Sequence, residues 1–385
     1  MTDTVDRQRT GDDRATSPAA VDLHDDERPV TPAVPDRPAL ATGTTSHLVD
    51  RHGRALRDLR VSVTDRCNLR CSYCMPEDDY QWLPQNDILS FEEITEVVAA
   101  FTAVGVTKVR LTGGEPLLRR GLPDLVARLA ALPPINDLAL TTNGTLLAGH
   151  ADALRAAGLH RVTVSLDTLR PERHRAITRR DNHGSVIDGI AAVRRAGFTG
   201  TKINTVVMRG VNDDELADLV RYGADHGAEV RFIEYMDVGG ATGWDRRHVV
   251  SADEILSSVS ASLGPLAPAP TRPSAPARRY VTDDGATFGI VASTTTPFCQ
   301  TCDRSRLTAD GMWYRCLYAA TGTDLRGPVR QGDGRVALSR LIAEQWRERR
   351  DQGAVDRAAL AADRAAVPVD ILRRDPHQEM HTRGG

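Results

Sequence analysis

Lysine is nearly missing from this chain: among 49 basic residues only Lys108 and Lys202 are not arginine. Coding bias from a GC-rich genome accounts for the preference, and a lysine that persists against it is a candidate for chemistry of its own. Aromatic residues make up only 4% of the 385 positions. No apolar run approaches the ~20 residues of a membrane-spanning helix, and the start, M-T-D-T-V-D-R-Q-R-T, lacks an apolar signal core. A net charge of −3 argues against nucleic acid or an anionic membrane as partner. Together these absences predict a cytoplasmic protein in a reducing setting, where six cysteines point to metal rather than disulfides.

What is present is a globular composition, 41% hydrophobic and 26% charged, enough for one large or two small domains. Residues 1–45, rich in Asp, Thr, Pro and Arg, show no apolar periodicity and read as a disordered extension. From Leu56 onward short β-rich runs alternate with amphipathic stretches. Strands are expected at 59–63, 107–111, 136–140, 161–166, 201–207 and 229–234. Helices are expected near 91–104, 121–132, 146–157, 185–196 and 213–226. Such alternation means repeated βα units and a parallel sheet. Six units are too few for a closed eight-stranded barrel, so the expected fold is α/β, a partial TIM-type barrel over 46–263. A Pro/Ala-rich connector, 264–279, is expected as an exposed loop. A C-terminal cluster-binding region, 280–385, follows, with a hairpin at 280–291 around D-D-G and helix around 337–366.

Cys67, Cys71 and Cys74 stand in V-T-D-R-C-N-L-R-C-S-Y-C-M-P, just past the first strand. Three thiolates at this spacing can hold three irons of a four-iron cluster and leave the fourth open, whereas a cluster that only carries electrons takes four. Unrelated cysteines or part of a zinc site are the alternative. A second triplet, Cys299, Cys302 and Cys316, is spaced C-x2-C-x13-C across a segment that reads as strand, D-G turn and returning strand. Zinc would need a fourth ligand, and no histidine lies between residues 249 and 376.

Other polar residues sit where the predicted strands end: Gly113-Gly114-Glu115-Pro116, Thr141-Thr142-Asn143-Gly144, Ser165-Leu166-Asp167 and Glu234-Tyr235-Met236-Asp237. In parallel α/β barrels the active site gathers at those ends. Arg60, Arg110, Lys202 and Arg231 interrupt otherwise apolar strands, where a plain core would not want a charge. The chain has no G-x-x-x-x-G-K-[ST] loop, so a nucleoside triphosphate would need a set of cationic side chains instead.

The first triplet resembles the signature of the radical S-adenosylmethionine enzymes. Within them, residues 54–320 and the chain end resemble the GTP 3′,8-cyclases of molybdenum-cofactor biosynthesis. The matching segments include L-T-G-G-E-P-L-L-R, L-T-T-N-G, V-S-L-D-T-L, R-F-I-E-Y-M-D-V-G and F-C-Q-T-C-D-R-S-R-L-T-A-D-G. The resemblance implies two 4Fe–4S clusters, one per triplet, and S-adenosylmethionine held by Tyr73, Gly113, Gly114, Ser165 and Met236, the last otherwise a core methionine. It implies GTP as substrate, contacted by Arg60, Arg110, Thr141, Lys202, Arg304, Ser305 and Arg306; Arg231 is added here for its inward charge. Arg304 and Arg306 read equally as rim residues, and Lys108 stays open. The terminal Gly384-Gly385 resembles a glycine pair that reaches the active site, although Arg383 stands where an apolar residue is usual. An external donor of flavodoxin or ferredoxin type, a downstream cyclic pyranopterin monophosphate synthase and a monomer or homodimer complete the implied picture. The rival readings are a radical enzyme acting on a peptide or small metabolite, and a non-catalytic metal protein.

Overall fold

The computed structural model describes residues 48–360 and 369–384. The N-terminal extension expected over 1–45, part of the helix expected to 366, and Gly385 lie outside the described residues.

Each expected strand forms within a residue or two of its predicted bounds. They are β1 (Asp58–Ser62), β2 (Lys108–Thr112), β3 (Asp137–Thr142), β4 (Arg161–Ser165), β5 (Thr201–Val207) and β6 (Ala228–Glu234). The C-terminal region adds β7 (Leu266–Ala269), β8 (Arg278–Thr282), β9 (Thr287–Val291), β10 (Arg304–Leu307), β11 (Met312–Tyr314) and β12 (Thr323–Asp324). All twelve join one sheet in the order β12-β11-β10-β1-β2-β3-β4-β5-β6-β9-β8-β7. From β10 through β9 every pairing is parallel, and the outer pairs are antiparallel. The six βα units are thus flanked by two more parallel strands, β10 and β9, and the wall stays open because its two ends do not pair.

Alternation along the strands decides what each face does. Leu59, Val61, Val109, Leu111, Leu138, Leu140, Val162, Val164, Ile203, Val230 and Phe232 are buried against the helices in one apolar core. The intervening residues face the lumen and are mostly polar, Ala139, Val206 and Ile233 apart, unlike the branched aliphatic filling usual in closed barrels.

Local signals explain the helices. Phe91–Ala103 opens on a Ser90/Glu93 capping box and buries Ile94, Val97, Val98 and Phe101, one face at helical spacing. Gly334–Arg347 packs on it through Leu338, Ile342 and Trp346. The stretch expected as helix over 146–157 splits into a 3-10 turn, Leu147–Gly149, and a short helix, Ala151–Ala156. A helix at Pro171–Thr178 was not expected. Its charged sequence shows no apolar period, and only Pro171 at the first turn marks it.

The connector 264–279 is corrected by the structure. Leu266–Ala269 forms the outermost strand, with Pro268 opposite Tyr280, because an edge position leaves one side where a missing N–H costs nothing. The 280–291 hairpin forms as expected, its turn closed at Gly285 with φ +86°. No helix among the described residues is long and apolar enough to cross a membrane.

Candidate active site

The loop after β1 carries Cys67, Cys71 and Cys74 to the carboxyl end of the sheet, where they line one cavity. Backbone hydrogen bonds fix this loop: Arg70 N to Thr178 O at 3.0 Å, Ser72 N to Ile177 O at 2.9 Å, and Met75 N to Cys71 O at 2.8 Å. The unexpected helix at 171–178 therefore serves as the loop's platform. Leu69 N and Asn143 Nδ2 point at Cys67 Sγ from 3.5 and 4.0 Å.

The same cavity is lined by Tyr73, Gly113, Gly114, Thr141, Ser165 and Met236, contributed by loops or ends of β1 to β6. Gly113 has φ +150°, and a β-carbon there or at Gly114 would run into the backbone of Thr64–Arg66. The glycines let the two loops touch: Gly114 N donates to Thr64 O at 2.8 Å and Glu115 N to Arg66 O at 2.7 Å. Glu115 is buried and accepts from Thr142 Oγ1, Asn143 N and Leu117 N. Burial pushes its carboxyl up to about 7 despite these donors. Asp167, unassigned by the sequence reading, accepts from Tyr73 Oη at 2.7 Å and Val206 N at 2.9 Å. Burial pushes it up to about 6.

The cationic residues do not line that cavity. They lie deeper in the lumen, between the strands. Parallel register sets Arg60 beside Arg110 and Arg306, and Asp58 beside Lys108 and Arg304. Burial, then Arg306, Arg304 and Arg110, push the Arg60 guanidinium well below its ordinary value. Burial, then Arg161, Arg231 and Arg110, bring Lys202 down to about 7. Arg110 donates to Thr141 Oγ1 at 3.2 Å and Thr163 Oγ1 at 3.0 Å. Two lumen cations are already compensated: Arg161 forks onto Asp137, and Arg231 pairs with Glu229, which also holds Arg279. Arg231 fits beside β9 because Gly289 has no side chain there.

Ser305 departs from its expected place. It pairs with Leu59 and alternates with Arg304 and Arg306, so its side chain turns away from the lumen and only its backbone can face a ligand. Arg161 was missed because it opens its strand, as Lys108 does, and does not interrupt an apolar run as Arg110 does.

Cys299 and Cys302 stand at the amino end of β10, and Cys316 follows β11, which runs antiparallel to β10. The second triplet therefore lies at the opposite end of the wall from the first. Burial raises the Cys302 thiol, but Arg304 and Arg349 overcome this and bring it down to about 7. In the first triplet burial prevails and pushes Cys67 up to about 11. All six cysteines are free.

Among the described residues no three His, Cys, Asp or Glu side chains converge as they would around one ion. Cys67, Cys71 and Cys74 present three thiols to one cavity, a donor set that suits three corners of an iron–sulfur cluster. His377 is no fourth ligand for the second triplet, since its ring nitrogens face Asp310 and Asp375 at 2.8 and 3.1 Å.

The chain end enters the site. Arg306 Nη1 donates to the carbonyls of Arg383 and Gly384, and Gly384 lies against Thr112 and Ser62. Arg383 is buried over the Tyr314 ring at 4.2 Å and donates to His377 O and Leu317 O, so the unusual residue anchors the tail.

Residues 61–223 match the Radical SAM superfamily, and residues 228–355 match Molybdenum Cofactor Synthesis C. GTP 3′,8-cyclase 1 of Mycobacterium tuberculosis is 53% identical over 359 residues, covering 92% of this chain and 99% of that protein. The chain belongs to the GTP 3′,8-cyclase family. Members so named from Streptomyces coelicolor and Aquifex aeolicus are 50% and 45% identical, over 78% and 79% of this chain and 88% and 93% of theirs. As a family member this chain is a radical S-adenosylmethionine cyclase of molybdenum-cofactor biosynthesis, binding S-adenosylmethionine and an iron–sulfur cluster. The fold is shared with Streptococcus suis SuiB bound to S-adenosylmethionine, at TM-score 0.54 and 15% identity over 80% of this chain and 69% of that one.

Proposed function

We propose that this chain converts GTP to (8S)-3′,8-cyclo-7,8-dihydroguanosine 5′-triphosphate, the first step of molybdenum-cofactor biosynthesis. One observation carries the reading: two thiol triplets stand at opposite ends of a lumen walled by cations. Cys67, Cys71 and Cys74 would hold one 4Fe–4S cluster, and Cys299, Cys302 and Cys316 a second. When bound, the first centre would supply the electron for reductive cleavage of S-adenosylmethionine, and that cleavage would supply the radical chemistry for joining ribose C3′ to guanine C8.

The protein's own work is placement and exclusion. Tyr73, Gly113, Gly114, Ser165 and Met236 hold S-adenosylmethionine at the carboxyl end, and Asp167 fixes the Tyr73 ring through its hydroxyl. Arg60, Arg110, Thr141, Lys202, Arg304 and Arg306 receive the nucleotide, with Ser305 contributing backbone. Their mutual repulsion is relieved when a triphosphate enters. Arg231 joins them by leaving Glu229. Gly384, packed against Thr112 and Ser62, would help to keep water from the reacting groups. A flavodoxin- or ferredoxin-type donor in the cytoplasm supplies electrons, and a cyclic pyranopterin monophosphate synthase takes the product.

Anaerobic incubation with S-adenosylmethionine, dithionite and GTP, read by mass spectrometry, tests the proposal. Deoxyadenosine with an equal amount of a GTP isomer is expected. Deoxyadenosine with unchanged GTP, in protein carrying intact clusters, would overturn the substrate while leaving the radical chemistry.

A further inference from the structure

Behind the second triplet lies a buried group of charges that the reaction does not use. Arg54 is 4% exposed, Arg349 1% and Asp50 6%. Arg54 Nε donates to Asp50 Oδ2 at 2.6 Å, and Arg349 Nη1 reaches the same oxygen at 3.3 Å. Both guanidiniums also grip the main chain of the cysteine pair. Arg54 Nη1 donates to Cys299 O at 2.8 Å, and Arg349 Nη1 to Cys302 O at 2.9 Å. Trp346 braces the two: its ring lies 4.4 Å from the Arg349 guanidinium, and its Nε1 donates to Arg54 O at 3.0 Å. An antiparallel bridge between Val49 and Ala55 closes the turn that brings Asp50 and Arg54 together.

Two cations share Asp50, the one carboxylate buried with them; a second carboxylate, Asp351, is partly exposed and stands 3.9 Å from Arg349 Nε, so among the fully buried groups positive charge is in excess. Such a charge is costly unless something nearby compensates it. Arg54 Nη2 and Arg349 Nε have no hydrogen-bond partner among the described residues, Arg349 Nε having only the longer ion pair to Asp351 at 3.9 Å. Neutral donors could serve the two carbonyls as well, so the charge itself calls for an anion. Three thiolates outweigh the positive charge of an iron–sulfur core, and the cluster becomes more anionic when it takes an electron. A buried cation beside it favours the reduced form, just as outer partners tune other metal centres.

We propose that Arg54 and Arg349 are positioning residues for the second cluster, fixing Cys299 and Cys302 through their carbonyls and holding its reduction potential up by their excess charge. The inference rests on the two-cluster reading above.

The test uses the full chain, reconstituted anaerobically, with iron and sulfide counted and each cluster titrated by potentiometric electron paramagnetic resonance. Arg349→Met and Arg54→Met are expected to move the second midpoint to more negative potential and leave the first where it was. Arg349→Lys, which keeps the charge, is expected to restore most of the shift. Asp50→Asn, which removes the compensating carboxylate, is expected to move the second midpoint the other way. A wild-type second midpoint in Arg349→Met, or shifts of the same sign in Arg349→Met and Asp50→Asn, would overturn the proposal. If Arg349→Met sheds the second cluster alone, the grip on the cysteines is supported and Asp50→Asn decides the charge. Wild-type protein with iron for only one cluster would instead sink the two-cluster reading.

Discussion

Arg306 Nη1 donates to the carbonyl oxygen of Arg383 at 3.0 Å, so a cation on the barrel wall holds the last helical turn of the chain inside the lumen. Seventy-seven positions apart in sequence, the two residues define where Gly384 lies.

Gly384→Ala should release that tail. Gly384 sits at φ +73°, where a side chain costs about 1–2 kcal/mol, and its β-carbon would meet Thr112 and Ser62. Cyclisation is expected to drop roughly 100-fold, the usual scale for a small misplacement at a reacting centre, while S-adenosylmethionine cleavage continues. The ratio of deoxyadenosine to cyclised product measures it, and a wild-type ratio would remove the tail from the site.

The two triplets should fail differently. Cys67→Ala is expected to abolish S-adenosylmethionine cleavage, because it breaks the centre at the carboxyl end. Cys299→Ala should keep uncoupled cleavage and lose cyclisation. Full cyclisation by Cys299→Ala would end the assignment of the second triplet.

Lys202→Ala should weaken GTP binding by ~1.5–3 kcal/mol, roughly 10- to 100-fold, the worth of a charged hydrogen bond. Guanosine, which has no phosphates, should lose little. Calorimetric titration of both ligands separates the cases, and equal losses would place Lys202 outside the phosphate site.

Lys202 also predicts a pH dependence. In the ligand-free protein it is brought down to about 7 by burial and by Arg161, Arg231 and Arg110. A triphosphate favours the protonated amine and raises it again. Above pH ~7 binding must therefore take up a proton, so GTP affinity falls as pH rises through that value, whereas well below it Lys202 is already charged. Heats of binding in two buffers of different ionisation enthalpy give the proton count. Lys202→Met should show no uptake from this site; unchanged uptake would assign the proton elsewhere.

Much of the site was legible before any coordinates. The cysteine spacings, the glycine pair at 113–114 and the charges inside apolar strands are local patterns, because a strand's alternating faces turn one inward charge into a visible break in apolar sequence. Leu266–Ala269 was hidden by Pro268 and Pro270, which look like loop until an edge position makes them harmless. The helix at 171–178 was hidden by its charges. Ser305 was placed with its neighbours because a motif carries no record of which face each residue takes.

The amino-acid sequence by itself determined the parallel βα order, the two thiol triplets and the cations to be placed between them, since each depends on residues close in the chain. Only the tertiary structure decided that the triplets stand at opposite ends of one lumen, that Arg231 is held by Glu229, and that Arg54 and Arg349 meet behind Cys299 and Cys302. These depend on strand register and on contacts across nearly three hundred positions, as between Arg349 and Asp50. No local pattern distinguishes Arg54 or Arg349 from the many other arginines until packing removes both from water and leaves them one buried carboxylate, Asp50, to share.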